Sequence, residues 1–203
     1  KVPAISSSAN TVITAVWGKT GTETTPDYAT DDPVWSNGYE GAWHFSTNSN
    51  SFPDSSPNAH HATRNAVGVS NAGQVGQAAS FTGSEFADVA YSSLLNTDKF
   101  TVTIWAKRGS GTGYAAPYSS RGVNDGTRGY LLYSKDGNFQ FRTGKGIPGG
   151  PWSETPESSA HSNSTWYHVT STYDGTTKQI WLNGVAGSTN NDSSNYAKNY
   201  LYS

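Results

Sequence analysis

At 203 residues the chain is long enough for one domain with a sizeable core, or one domain plus an appendage, but hardly for two full domains. A formal net charge of −2 removes the basic footprint expected of a nucleic-acid or anionic-membrane binder, and no run of apolar residues is long enough to span a bilayer. With no Cys at all, disulfides, thiol catalysis and thiolate metal sites are excluded.

Hydrophobic residues make up 33% and charged residues 14%, both low, while aromatics reach 13%. So many rings in a Ser-, Thr-, Asn- and Gly-rich chain point to short strands and polar turns around a ring-built core. That surface chemistry, with no Cys, favours an exported or cell-surface protein. The opening "KVPAISSSAN" has no apolar signal region, so an export signal would lie outside this chain.

In chain order, "NTVITAVWG" (10–18) alternates Val12, Thr14 and Val16 with Ile13, Ala15 and Trp17. Two short strands are predicted in "QAASFTG" and "EFADVAY" near residues 77–91. "FTVTIWAKR" (100–108) sets Phe100, Val102, Ile104 and Ala106 against Thr101, Thr103, Trp105 and Lys107, the period of a half-buried strand. Residues 109–129 and 143–165 are rich in Gly, Ser and Pro and read as long surface loops. Between and after them, "YLLYSKDGNFQFRTG" (130–144) and "WYHVTSTYDGTTKQIWLNG" (166–184) each place two alternating runs about an Asp-Gly dipeptide, a strong hairpin signal. No helical period lasts more than about two turns, so the fold class is all-β.

Alternation also assigns faces. Tyr167, Val169, Ser171 and Tyr173 share one side with Ile180 and Leu182. Trp166, His168, Thr170 and Thr172 take the other, with Gln179, Trp181 and Asn183; Trp105, Gln140 and Arg142 likewise fall opposite core positions. Flat rings beside hydrogen-bonding side chains suit a sugar, which offers an apolar C–H face and a rim of hydroxyls. The candidate carbohydrate site is therefore Trp181, Gln179, His168, Arg142 and Trp105, gathered on one exposed face. Burial of Trp105 or Trp166 under a loop or the N-terminal segment is the competing reading.

Five blocks carry a family resemblance: "GYEGAWHFSTNSNSFPDSSPNAHHATRNAVG", "GQVGQAASFTGSEFADV", "DKFTVTIWAKR" and the two halves of "STWYHVTSTYDGTTKQIWLNGV". Over residues 38–187 the chain resembles the laminin-G-like, concanavalin A-like jelly roll of exported bacterial and archaeal proteins. Residues 1–36 are similar to the tail of a small β-domain that precedes such jelly rolls, which divides the chain into 1–36 and 37–203. The resemblance implies an antiparallel two-sheet sandwich with one concave sheet, and a non-catalytic module that binds glycans or proteins. The family usually closes on an Ile-Asp-Glu-like strand that "NYAKNYLYS" does not contain. The expectation is that segment 10–18, a strand from another subunit, or a strand from residues outside this sequence fills that place.

"PDSSPNAHH" (53–61) matches the family loop that helps hold a structural calcium in many relatives, with Pro57 where they have Gly. Asp54, Asn58 and His60 are the metal candidates, Ca²⁺ the implied cofactor, and an Asx turn at Asp54 the alternative. Zinc is disfavoured: His60 and His61 are adjacent and point to opposite faces, and no third ligand is marked. Glucanases of this overall fold need two close carboxyls on a strand, but Glu23, Glu40, Glu85, Glu154 and Glu157 form no alternating pair with Asp. The chain also contains neither a nucleophile elbow nor a P-loop. The function expected is carbohydrate recognition without catalysis. The alternative is a structural or adhesive module assembled through neighbouring protein subunits.

Overall fold

The computed structural model describes residues 8, 21, 34–46, 48–111, 113–121, 128–146, 152–153, 157–191 and 196–199. Twelve strands and one short 3₁₀ turn, Ser93–Leu95, are found among them. The strands are β1 (Ser51–Phe52), β2 (Ala62–Asn65), β3 (Gly68–Ser70), β4 (Ala78–Ser80), β5 (Phe86–Val89), β6 (Phe100–Lys107), β7 (Ala115–Ser119), β8 (Tyr130–Lys135), β9 (Asn138–Thr143), β10 (Trp166–Tyr173), β11 (Thr177–Leu182) and β12 (Val185–Asn191). They form antiparallel sheets in the orders β12-β11-β10-β6, β7-β8-β9, β1-β2-β5 and β3-β4. The all-β, antiparallel class expected from the sequence is what the molecule adopts.

The main core lies between the four-stranded and three-stranded sheets. Leu132, Phe139 and Phe141 come from β8 and β9; Val169, Tyr173, Ile180 and Leu182 come from β10 and β11. Phe141 and Ile180 are fully buried. Each such side chain contributes about 1.5–3 kcal/mol of transfer free energy. A second cluster of Phe52, Ala62 and Val67 supports β1 and β2, with Trp43, Phe45 and Val89 packed around it. Because Ile180 and Leu182 point inward, the period of two sends Gln179 and Trp181 outward, as the alternation required.

The β8–β9 hairpin turns on Asp136 (φ 52) and Gly137 (φ 84), both left-handed as a two-residue type I′ turn demands. Between β10 and β11 the connection is longer. Asp174 keeps negative φ, and its carboxylate accepts the N–H groups of Thr176 and Thr177 at 2.8 and 2.7 Å.

The two short strands predicted near 77–91 are present as β4 and β5, which pair with β3 and β2. Other sequence expectations need correction. The predicted loop 109–129 contains β7, which pairs with β8 across a register shift. The predicted loop 143–165 is tied to β9 by a bridge between Gln140 and Glu157. A further strand, β12, follows a turn on Asn183 (φ 51) and Gly184 (φ 79). Segment 10–18 lies outside the described residues.

Candidate functional site

The outer face of the four-stranded sheet is assembled by register. His168 faces Trp105 across β10 and β6, Trp166 faces Lys107, and Thr170 faces both Thr103 on β6 and Trp181 on β11. The Trp105 and His168 rings lie 5.2 Å apart, tilted by 54°. His168 Nε2 is 2.7 Å from Thr103 Oγ1, which is in turn 3.2 Å from Thr170 Oγ1. The Lys107 ammonium sits 5.1 Å from the centre of the Trp166 ring. A cation over an indole face is attracted electrostatically by the ring.

Two turns wall this floor. The β3–β4 turn reaches it through Trp166, whose indole N–H donates to Ala72 O at 3.1 Å. That turn is held shut by Gly73 N donating to Gly76 O. A side chain at Gly73 would collide with Gly76 O, 2.5 Å from the position of its Cβ. On the other side Asn183 accepts the His168 N–H through Oδ1 at 2.9 Å and donates its own N–H to His168 O at 2.8 Å. Gln74, Trp105, Trp166, His168 and Asn183 thus line a shallow, open depression of about 540 Å³. Trp105 is 42% exposed and Trp166 half-buried, so the reading of both as covered rings holds only in part, for Trp166 beneath the β3–β4 turn.

Of the five predicted site residues, Trp105 and His168 line the depression, and Trp181 and Gln179 share its sheet face. Gln179 is held by its own strand pair: its amide donates to Gly187 O and Ser188 O of β12. Arg142 must be removed from the set. It lies on β9 of the opposite sheet, next to core residue Phe141, so its outward direction is that sheet's other surface, where its guanidinium lies 4.6 Å from the Tyr133 ring centre. Opposition to a core residue identifies an outward position, but a sandwich has two outer faces. Gln74 was missed because it comes from a turn remote in sequence. Asn183 was placed on the right face yet not proposed as a site residue, although its Asn-Gly dipeptide marks a turn.

The loop 53–61 behaves differently from a cation shell. Asp54 Oδ1 accepts the N–H groups of Ala42 (2.7 Å) and Ser56 (2.9 Å), while Oδ2 accepts Ser56 Oγ–H (2.7 Å) and His60 N–H (2.8 Å). Burial alone would raise the carboxyl's pKa, but these four donors outweigh it and hold the group below its ordinary value. Asn58 donates its amide to Glu40 O and Glu40 Oε2 at 3.2 and 3.0 Å. The His60 carbonyl accepts the Trp43 indole N–H, and the His60 Nε2 is buried without a partner. His61 Nδ1 instead accepts the Asp54 N–H. Donors occupy the Asp54 lone pairs that a cation would need, so Asp54, Asn58 and His60 do not fit a calcium ion. Among the described residues there is no group of three or more His, Asp or Glu placed to hold a metal.

The geometry is that of a β-sandwich carrying a ring-floored depression on one sheet, and a family model for such folds matches residues 81–202. The chain belongs to the concanavalin A-like lectin/glucanases superfamily. Among solved structures, this superfamily member is similar to the binding domain of Paraclostridial Mosquitocidal Protein 1, at 17% identity and a TM-score of 0.55, over 77% of this chain and 41% of that one. The chain therefore spans about two fifths of the length of that binding domain. It is also similar to residues 221–444 of an S-layer domain-containing protein from Clostridium thermocellum, at 23% identity and a TM-score of 0.45, over 76% of this chain and 73% of that one. No curated protein sequence matches the chain.

Proposed function

We propose that the protein is a non-catalytic carbohydrate-binding module of an exported or cell-surface protein, and that the depression on the β6–β10 face is its glycan site. The observation that carries this reading is the pairing of an exposed indole, Trp105, with His168, Gln74 and Asn183 around it. The ring offers a flat apolar surface, and the amides and imidazole offer directional hydrogen bonds to hydroxyls. Among the described residues, the five that line the depression include no carboxylate, whereas glycoside hydrolysis of either stereochemistry uses two. A glycan array probed with the wild type and with Trp105→Ala tests it. The expected result is a defined set of wild-type ligands lost in the variant; an array that the wild type does not bind would overturn the reading.

One observation favours a second reading, a structural or adhesive module joined to neighbouring subunits. β6 ends the order β12-β11-β10-β6, so among the described residues one of its edges carries no strand. An open edge of eight residues is a template for strand addition. Sedimentation across a wide concentration range distinguishes the two: a glycan module stays monomeric, and an assembly module does not.

A further inference from the structure

The depression accounts for Trp105 and Trp166 but leaves Trp181 on the same sheet face without a role. Its position follows from the registers. Trp105 and Trp166 are diagonal neighbours on adjacent strands, since His168 faces Trp105 and Trp166 lies two residues before it. Trp181 faces Thr170, two residues beyond His168 on the next strand. With strands about 4.8 Å apart and a rise of about 3.4 Å per residue, Trp105 and Trp166 stand about 8 Å apart. On the same grid Trp181 is about 12 Å from Trp105 and about 14 Å from Trp166.

Between the Trp105–Trp166 pair and Trp181 lies His168, whose Nε2 is 2.7 Å from Thr103 Oγ1; Thr103 and Thr170 flank this path with their Oγ1 atoms 3.2 Å apart. Each sugar unit of an extended glycan advances by about one interstrand spacing, ~5 Å. On this grid Trp105 and Trp166 flank one end of a line that runs over His168 to Trp181, so a chain seated between the first two rings meets Trp181 about two units further on. Both walls of the depression, the β3–β4 turn and the Asn183 turn, are contacts of the Trp166–His168 segment. Trp181 is half-buried on the same sheet face.

We propose that the site reads an internal stretch of a linear polysaccharide, with Trp105 and Trp166 forming the primary platform and Trp181 a distal stacking position about two units away. This rests on the glycan reading above and specifies its ligand as a chain rather than a terminal sugar. The decisive measurement is calorimetric titration of the wild type, Trp105→Ala and Trp181→Ala with linear oligosaccharides of increasing length. The probes are gluco-, xylo-, manno-, galacturono- and N-acetylglucosamine oligomers from the monomer to the hexamer. In any series that binds, the wild-type Kd should fall by about ten-fold or more between the disaccharide and the tetrasaccharide, the change expected from one additional stacked ring. Trp181→Ala should remove that gain and leave disaccharide affinity unchanged, whereas Trp105→Ala should weaken every length. Should Trp181→Ala fail to fold, Trp181→Thr keeps strand propensity and reads the same loss. A Kd independent of length overturns the inference and leaves a terminal-sugar site standing, and a length gain that persists without Trp181 overturns it by removing Trp181 from the site. Failure of every series to bind the wild type overturns the glycan reading itself, and this inference with it.

Discussion

Trp105 is exposed on a strand whose alternate residues, Ile104 and Ala106, pack against the core. Cutting its ring back to a methyl therefore removes contact area from the solvent side and little from the interior. Trp105→Ala should weaken glycan binding by about 1–3 kcal/mol, as expected of an aromatic hot spot, while the melting temperature falls only slightly. Calorimetric titration beside a thermal scan checks both halves. Asp54 is the opposite kind of residue, buried with four donors directed at its oxygens. Asp54→Ala leaves those donors unpaired and should destabilise the fold by about 1–3 kcal/mol or more, whereas a chelator should leave the wild-type melting temperature unchanged. A chelator-induced fall would restore calcium to this loop. Alternation in the sequence was enough to set Trp105, His168 and Trp181 on one outward face. It could not tell Arg142 that its outward face belongs to the other sheet, because that depends on which hairpin lies in which layer.

At the scale of elements, the two Asp-Gly hairpins were legible because the dipeptide, the alternation and the buried faces all agree. β7 and β12 were not. β7 contains Pro117 inside its register shift, which is tolerated because β7 lies at the edge of its sheet. β12, "VAGSTNN", has little apolar pattern and is specified by its partner: it zips onto β11 from the Asn183–Gly184 turn, with Ser188 N donating to Glu157 O beside it. Tertiary pairing outweighs intrinsic strand propensity in such segments. This turn offers a paired test. Gly184 has φ 79 with open space where a Cβ would go, so Gly184→Ala should cost about 1 kcal/mol from backbone strain alone and leave binding intact. Asn183→Ala removes the Oδ1 acceptor of His168 N–H as well as a side chain that lines the depression. It should lower both stability and glycan affinity. Equal affinity losses in the two variants would show that the turn matters only as a scaffold.

The molecule as a whole combines three sets of buried titratable groups that together set its response to pH. His161 is buried against Phe139, its Nε2 lies 2.7 Å from Ser134 Oγ, and burial pushes its pKa below the ordinary 6.5, with the nearby Arg108 acting in the same direction. Since the folded chain takes up this proton less readily than the unfolded one, its contribution to stability is complete above pH 6.5 and is lost as pH falls below it. Asp54 adds a second loss at lower pH, as the medium passes below the ordinary carboxyl value of 3.8. At the alkaline end burial pushes the Tyr130 phenol up to about 12 and raises that of Tyr118 as well. These groups contribute fully below pH 10 and lose their contribution as pH rises from 10 towards 12. The melting temperature should therefore form a plateau between about pH 6.5 and 10, with an acid limb in two stages. His161→Gln should flatten the first stage and leave the second, and Asp54→Asn should reduce the second. Thermal scans across pH on the three proteins decide the matter, and a wild-type acid limb that begins only below pH 4 would show that His161 is not the group that starts it.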